Sequence, residues 1–310
     1  MEVLKEDAIL EFPKDTLQVI RNTYELDKPG VIDKTIDILE LWLKKQDHFV
    51  KKDFSREYLE RCIIRSKGSV ERSKERLDKM CTARTMMPEF FTNENPKDFK
   101  LQFLQDVFLP KLTKDYYRVY ILKNFSQEFT SEFFTECYKR MIRFVEYLFE
   151  HDYCYGVFVV LDLREANIME FLKKFDVVQL GQFMNIMLKT YSLRVKGIHL
   201  VSTSKLITTV VSLLKQVVSE KIASRIGVHK DFNTIYEHVE KHILPEEYGG
   251  KEIPMTELHN KWLDMLSSKD FMEHIKNMNE AKTNEALRRT DEFNEQYLGM
   301  PGTFRSLSVD

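Results

Sequence analysis

The stretch that decides the fold is residues 191–219, YSLRVKGIHLVSTSKLITTVVSLLKQVVS. Residues 191–202 contain two basic residues and then a short apolar run, which predicts a buried strand. Residues 204–219 predict a helix starting at Ser204, whose hydroxyl can accept a bond from a free first-turn N–H. On a helical wheel its apolar side chains occupy an arc of roughly 160°: Leu206, Ile207, Val210, Val211, Leu213, Leu214, Val217 and Val218. From periodicity alone, this is a core helix that packs on a sheet.

The same alternation of strand and helix extends to both sides of this stretch. Strand-forming runs occupy residues 118–122, 156–162, 196–202 and 225–229, with helical patterns at residues 130–150 and 175–190 between them. Strands that alternate with helices of this length predict a largely parallel sheet with crossover helices. The predicted fold class is α/β.

Both ends of the chain have helical patterns. Residues 31–45, 54–67, 70–83 and 99–108 predict an all-helical N-terminal lobe, with Ser69 as the cap of the third helix. Residues 255–267 predict a further helix, and residues 271–293 a charged, solvated one. A short tail, residues 302–310, could dock through Phe304 and Leu307. The predicted domains are residues 1–110, 111–254 and 255–310.

Bulk composition excludes several classes of protein. The formal net charge of −2 creates no global field for nucleic acid or membrane. The four cysteines are widely spaced, which fits neither a disulfide framework nor a zinc site. The charged N-terminus lacks the apolar run of a signal peptide, and no run approaches the ~20 residues of a membrane span. We expect a soluble intracellular monomer that contacts membranes only peripherally and binds no nucleic acid.

Motifs for catalysis and metal binding are not found. The chain lacks a glycine-rich phosphate loop and a Gly-x-Ser-x-Gly nucleophile motif. His238 and His242 are four residues apart on a predicted helix, but Val239 stands where a metalloprotease needs glutamate, so surface histidines are expected. His199 and His229 fall in strands and are expected to be core or rim residues. We therefore predict no enzyme activity, no metal and no cofactor.

One charge pattern stands out at the two ends of the amphipathic helix. Arg194 and Lys196 precede it, and Lys221 and Arg225 follow it. If the helix is a crossover, the strands at residues 196–202 and 225–229 can bring all four cations together. Solvated surface charge is one interpretation; a docking site for anionic lipid headgroups is the other.

Three sequence blocks carry a resemblance to a known family. They are LRVKGIHLV (residues 193–201), EKIASRI (220–226) and ILPEEYGG (243–250). In order and spacing they resemble the CRAL-TRIO lipid-transfer family, and most of all its branch with the α-tocopherol transfer protein and the cellular retinaldehyde-binding protein. Weaker similarity extends to residues 70–74 and 302–307. Departures occur after Asp162, where Leu-Arg-Glu replaces the common Asp-x-x-Gly pattern, and at Ile64, where a second arginine is common.

The resemblance implies a helical lobe followed by an α/β lipid-binding lobe, with a movable gate helix at residues 204–219. It implies that Arg194, Lys196, Lys221 and Arg225 form a phosphoinositide-binding cluster. The expected cavity walls come from two strands and the apolar face of the gate: Phe158, Val160, Ile198, Leu200, Leu206, Val210, Leu213, Leu214 and Val217.

The predicted function is a cytosolic carrier for one hydrophobic small molecule, such as a tocopherol, retinoid or carotenoid. It would transfer this molecule between membranes and visit endosomal or other intracellular membranes transiently. The alternative is a phosphatidylinositol or phospholipid exchanger, or a phosphoinositide-sensing module. A lipid-modifying enzyme is a further alternative, which the missing nucleophile, metal set and cofactor loop disfavour.

Overall fold

A five-stranded sheet forms the centre of the protein, whose computed structural model describes residues 4–288. The strands are β1 (Leu104–Leu112), β2 (Tyr117–Asn124), β3 (Gly156–Asp162), β4 (Val195–Val201) and β5 (Ile226–His229). They lie side by side in chain order. β1 is antiparallel to β2, and all the other neighbours are parallel. The predicted α/β class with a mostly parallel sheet is confirmed.

The crossover helices lie on one face of this sheet. Right-handed crossovers between strands in sequential order all pass over the same face. They are α5 (Ser131–His151), α6 (Ile168–Lys174), α7 (Val177–Asn185) and the pair α8 (Ile207–Gln216) and α9 (Glu220–Ala223). α7 continues into one π-helical turn, Ile186–Thr190. We call the face they cover the inner face, and the opposite one the outer face.

An N-terminal helical lobe packs on α5. Its helices are α1 (Thr16–Thr23), α2 (Val31–Lys44), α3 (Arg56–Arg65) and α4 (Val70–Met86). The Ser69 hydroxyl accepts a bond from the Arg72 N–H, as the sequence predicts. Two buried arginines fix the lobe: Arg84 pairs with Glu146 of α5, and Arg61 Nε donates to the Phe149 carbonyl at 2.8 Å.

Two helices follow the sheet, α10 (Met255–Leu266) and α11 (Lys269–Asn279). α10 packs on β1, where the fully buried Trp262 donates its indole N–H to the Phe108 carbonyl at 2.8 Å. The predicted charged helix at residues 271–293 is therefore shorter, since α11 ends at Asn279. Residues 289–293 and the predicted docking tail, residues 302–310, lie outside the described residues.

The predicted helix at residues 99–108 is wrong, because β1 begins at Leu104. Consecutive residues Val107, Phe108 and Leu109 are all fully buried, one side chain after another on alternate faces. A short apolar run of this kind cannot be assigned to helix or strand from periodicity. The all-helical part of the chain thus ends before residue 104.

Two further predictions, for residues in or after the stretch 191–219, are wrong. α8 begins at Ile207, so Ser204 is not its cap; the Ser204 hydroxyl instead accepts the Leu206 N–H within a turn. His238 and His242 do not share a helix. His238 ends the 3-10 segment Phe232–Glu237, and His242 lies in another, Lys241–Ile243.

Candidate functional site

Two residues in the middle of the sheet are unusually accessible. Val159 and Leu161 of the central strand β3 are only half-buried, although their neighbours Phe158 and Val160 are buried. Leu122, which pairs with Leu161, is also half-buried. An interior strand loses burial in this way only where its side chains face a void. These residues open onto a cavity of about 200 Å³ on the inner face, far above the ~10–15 Å³ that one water needs.

The cavity walls are apolar on every side. Aromatic and sulfur-containing side chains of α5, α7 and the π-helical turn line the helical side of the cavity, opposite mainly aliphatic residues of the sheet. Asn124 at one end and the hydroxyls of Tyr120 and Tyr138 are the polar groups among the described lining residues. The walls include Phe133, Phe134, Cys137, Met141, Phe171, Phe175, Leu180, Phe183, Met184, Met187, Leu188, Leu193 and Val195.

Three of the nine predicted wall residues line this cavity: Ile198 of β4, and Val210 and Leu214 of α8. Val210 and Leu214 are one turn apart, so they present one stripe of α8 to the cavity. Ile198 pairs with Val159 in the sheet and shares its face. Their role as ligand contacts stays a prediction.

The other six predicted wall residues lie elsewhere. Phe158 and Val160 point to the outer face, because side chains alternate along a strand and the inner positions are Val159 and Leu161. Leu200 is fully buried without lining the cavity. Leu206, Leu213 and Val217 flank the cavity-facing stripe of α8, and Val217 lies next to α7, 3.6 Å from where a Cβ on Gly181 would be.

The cavity residues that the sequence analysis missed come mainly from α5 and α7. Their signal was the content of methionine and phenylalanine, 13 and 22 residues in the chain, since such side chains adapt to irregular apolar spaces. That signal does not separate cavity walls from ordinary core. Only the crossover topology shows that α5 and α7 face β2, β3 and β4 across the void.

The predicted basic cluster is divided in the structure. Lys196 and Arg225 line one pocket on the outer face. The Lys196 ammonium lies 5.0 Å from the centroid of the Tyr117 ring, and Arg225 Nη1 donates to the Val195 carbonyl at 2.5 Å. Lys221 is exposed on α9 without lining that pocket.

Arg194 points away from these residues toward the N-terminal lobe. It bonds to the Tyr24 hydroxyl and donates through Nη2 to the Arg65 carbonyl at 3.0 Å. It lines a second basic pocket with Arg65, Lys67, Arg72, Arg76 and Lys79. Burial, together with the repulsion from Arg65 and Arg194, lowers the pKa of the Arg76 guanidinium to about 10. Arg194 precedes β4, and a bulge follows it in the strand, where Lys196 is an extra residue between the partners of Val157 and Phe158.

Three histidines meet beside Lys196 and Arg225 on the outer face. His199 Nδ1 lies 2.7 Å from His229 Nε2, and the His199 and His238 ring centroids are 4.3 Å apart. Burial, with smaller contributions from His238 and His229, lowers the pKa of His199 to about 4. Burial also lowers the pKa of His229. The sequence analysis treated these residues separately and did not predict the cluster.

Comparison with known proteins places this geometry in context. Residues 104–250 match the family model described as CRAL/TRIO domain, and residues 28–101 match that described as Pinta-like, UBA domain. A mouse (Mus musculus) protein named "Alpha-tocopherol transfer protein-like" is 22% identical over 121 residues, 39% of this chain and 35% of that protein. A human (Homo sapiens) protein of the same name is 25% identical over 96 residues, 31% of this chain and 28% of that protein. The chain spans about a third of the length of these curated relatives. The crystal structure of Sfh5 aligns with a TM-score of 0.43 at 15% identity, covering 85% of this chain and 100% of that one.

A mostly parallel sheet with an apolar cavity under its crossover helices defines the architecture as α/β, with the cavity between the sheet and the helices. The family match is more specific, because it covers β1 to β5 and the segment after them. Residues 104–250 belong to the CRAL-TRIO domain family. In the described residues, no helix has the length and apolar character needed to cross a membrane.

Proposed function

We propose that the protein carries one neutral hydrophobic molecule in the inner-face cavity and transfers it between membranes without covalent chemistry. The cavity lining is the observation that carries this proposal. Among the described residues it contains no Lys, Arg, His, Asp or Glu side chain. An apolar molecule can enter such a space without leaving a buried charge unpaired.

The energetics agree with a carrier. Burying apolar surface contributes ~25 cal/mol per Å², so a ligand that buries on the order of 400 Å² gains roughly 10 kcal/mol before the costs of association. That gain is enough to keep an isoprenoid-sized molecule bound to the protein in aqueous solution. A membrane offers the molecule a similar apolar environment, so exchange at a bilayer is nearly balanced in free energy.

The lining also favours a neutral molecule over a phospholipid as cargo. A phosphate group inside the cavity would need cationic partners, and the nearby cations, Lys196 and Arg225, lie on the outer face of the sheet. We therefore assign these two cations to docking on anionic headgroups rather than to cargo binding. Clustered cations of this kind contribute about 1 kcal/mol each near an anionic bilayer.

The proposed gate is α8. It covers the cavity with Val210 and Leu214, while its other side carries weakly polar residues such as Thr208, Thr209 and Ser212, which are exposed. Such a face approaches headgroups at little cost. Contact with lipid would stabilise an open state that exposes the apolar stripe, by differential affinity for that state.

Native mass spectrometry of the tag-free chain, after incubation with mixed lipid extract, tests the carrier function. We expect one neutral lipid per chain in the parent. Leu161→Trp, which places an indole in the cavity, should bring occupancy close to zero. Phospholipid as the bound molecule in the parent would favour the exchanger instead, and equal occupancy in Leu161→Trp would exclude this cavity as the site.

A further inference from the structure

A cluster of three imidazoles lies on the outer face, separate from the lipid cavity. His199 is on β4, His229 ends β5, and His238 follows the 3-10 segment after β5. One ring nitrogen from each lies within 4.8 Å of the others. We propose that these histidines form a binding site for a divalent transition metal ion such as Zn²⁺.

The backbone around His199 leaves room for its ring. A Cβ on Gly197 would lie 2.6 Å from His199 Nε2, and one on Gly227 would lie 3.0 Å from His199 Nδ1. Side chains at either position would collide with the imidazole. Phe158 stacks on the ring from β3, with centroids 4.6 Å apart and planes 24° apart. The ring is thus held in a fixed slot that opens toward His229 and His238.

The distances fit a metal site after small adjustments. Zn–N bonds of 2.0–2.1 Å in a tetrahedral site place two ligand nitrogens about 3.3 Å apart. His199 Nδ1 and His229 Nε2, at 2.7 Å, need to separate by roughly half an ångström. His238 is exposed, so its side chain can move to close the third bond.

A hydrogen bond on the side away from His199 also orients the His229 ring. Its second nitrogen, Nδ1, lies 2.5 Å from the Thr234 hydroxyl. Metal-binding histidines generally hold their other ring nitrogen in a hydrogen bond of this kind, which fixes the tautomer and the ring direction. The pocket that borders the cluster, about 510 Å³ in volume, leaves room for water as a fourth ligand.

The surrounding charges restrict which ions can bind. Lys196 and Arg225 line the same pocket and disfavour cations, whereas Asp231 and Glu237 act on His229 in the opposite sense. A hard ion such as Ca²⁺ or Mg²⁺ requires oxygen ligands. An all-imidazole set instead suits Zn²⁺, Cu²⁺ or Ni²⁺.

Titration of the metal-stripped, tag-free full chain with Zn²⁺, in competition with a chromogenic chelator, tests the site. We expect one Zn²⁺ per chain, and at least a tenfold weaker affinity in His238→Ala and in His229→Gln. His242→Ala, which changes an exposed histidine four residues away, is the matched control and should bind as the parent does. Circular dichroism of each variant confirms that it is folded.

Co²⁺ provides a second measurement. Three imidazoles and one water produce the strong visible absorption of a tetrahedral complex, which His238→Ala should lose. Absence of stoichiometric Zn²⁺ binding in the parent would overturn the proposal. So would equal affinities in His238→Ala and His242→Ala, because binding would then involve scattered surface groups.

Discussion

The two faces of the central strand β3 meet different surroundings. Val159 and Leu161 look into an apolar void under the crossover helices, whereas Phe158 and Val160 pack on the outer face beside three histidines and two cations. Neighbouring residues of one strand therefore face an apolar cavity on one side and a polar surface pocket on the other. A slip of β3 by one residue would move each of these side chains to the opposite face. The register of β3 therefore determines both the apolar cavity and the polar pocket.

The largest expected effect is on stability, when tryptophan is placed on either face of β3. Val160 is fully buried in close packing, so Val160→Trp should destabilise the protein by about 1–3 kcal/mol or more through overpacking. Leu161→Trp should cost much less, because its ring enters an existing void. Urea unfolding of both variants measures the difference. Equal destabilisation would mean that the cavity is not open in solution.

How far the sequence predicts the molecule depends on what its patterns encode. The run GVFVVLD at residues 156–162 is apolar throughout. Such a run predicts a strand covered on both sides and contains no alternation that shows which residues face inward. The assignment of Phe158 and Val160 to the cavity failed for this reason, although the strand itself was predicted with its observed bounds, Gly156–Asp162.

The site clusters depended on contacts that no local pattern contains. Arg194 and Lys196 are two residues apart, which suggests a shared face, but Arg194 bonds to Tyr24 and to the Arg65 carbonyl of the helical lobe. The histidine cluster had a usable signal, the repeated Gly-x-His at residues 197–199 and 227–229. Without the pairing of β4 and β5, nothing shows that these glycines make room for an imidazole.

Disruption of the proposed gate should give the next largest effect. Val210→Asp with Leu214→Asp places two carboxylates over the apolar cavity, where burial without partners costs several kcal/mol. We expect ligand retention to fall at least a hundredfold, measured as the rate of loss of bound lipid to excess vesicles. Thr209→Asp with Ser212→Asp changes the exposed side of the same helix and should leave retention within about twofold of the parent.

Hydrogen exchange on anionic vesicles sharpens the gate assignment. Protection in α8 should decrease more than in α7, because α8 is the element proposed to open. A matching response in the two helices, or no response in either, would make α8 a plain core helix.

The outer-face cations should give a smaller effect that depends on salt. Lys196→Glu with Arg225→Glu should weaken binding to anionic vesicles by about thirtyfold at low salt, since the two cations contribute about 1 kcal/mol each, and much less at high salt. Vesicle co-sedimentation measures it, with Lys44→Glu and Lys276→Glu, exposed lysines on α2 and α11, as the control. Equal vesicle binding by the Lys196/Arg225 variant and the control would exclude a docking role for these two cations.

Arg194→Glu should instead reduce thermal stability, since Arg194 bonds to Tyr24 and the Arg65 carbonyl of the helical lobe.

The smallest expected effect is a pH dependence at the sheet edge, where β1 meets α10. His259 is buried there, and its Nδ1 lies 2.9 Å from the Asp106 carbonyl oxygen and 3.2 Å from the Asp106 backbone nitrogen. Burial is the main cause that lowers the pKa of His259 below its usual 6.5. A histidine whose pKa is lower in the folded than in the unfolded chain contributes its full stability at a pH above the unfolded-chain pKa. That stability is lost as the pH falls below the unfolded-chain pKa, because the unfolded chain takes up the proton first.

The unfolding free energy of the parent should therefore exceed that of His259→Gln by an amount that shrinks between pH 7.5 and pH 5. Urea unfolding in EDTA measures this difference, with His242→Gln as the surface control. A His259→Gln difference that is constant across this range would show that His259 stabilises the edge by packing alone.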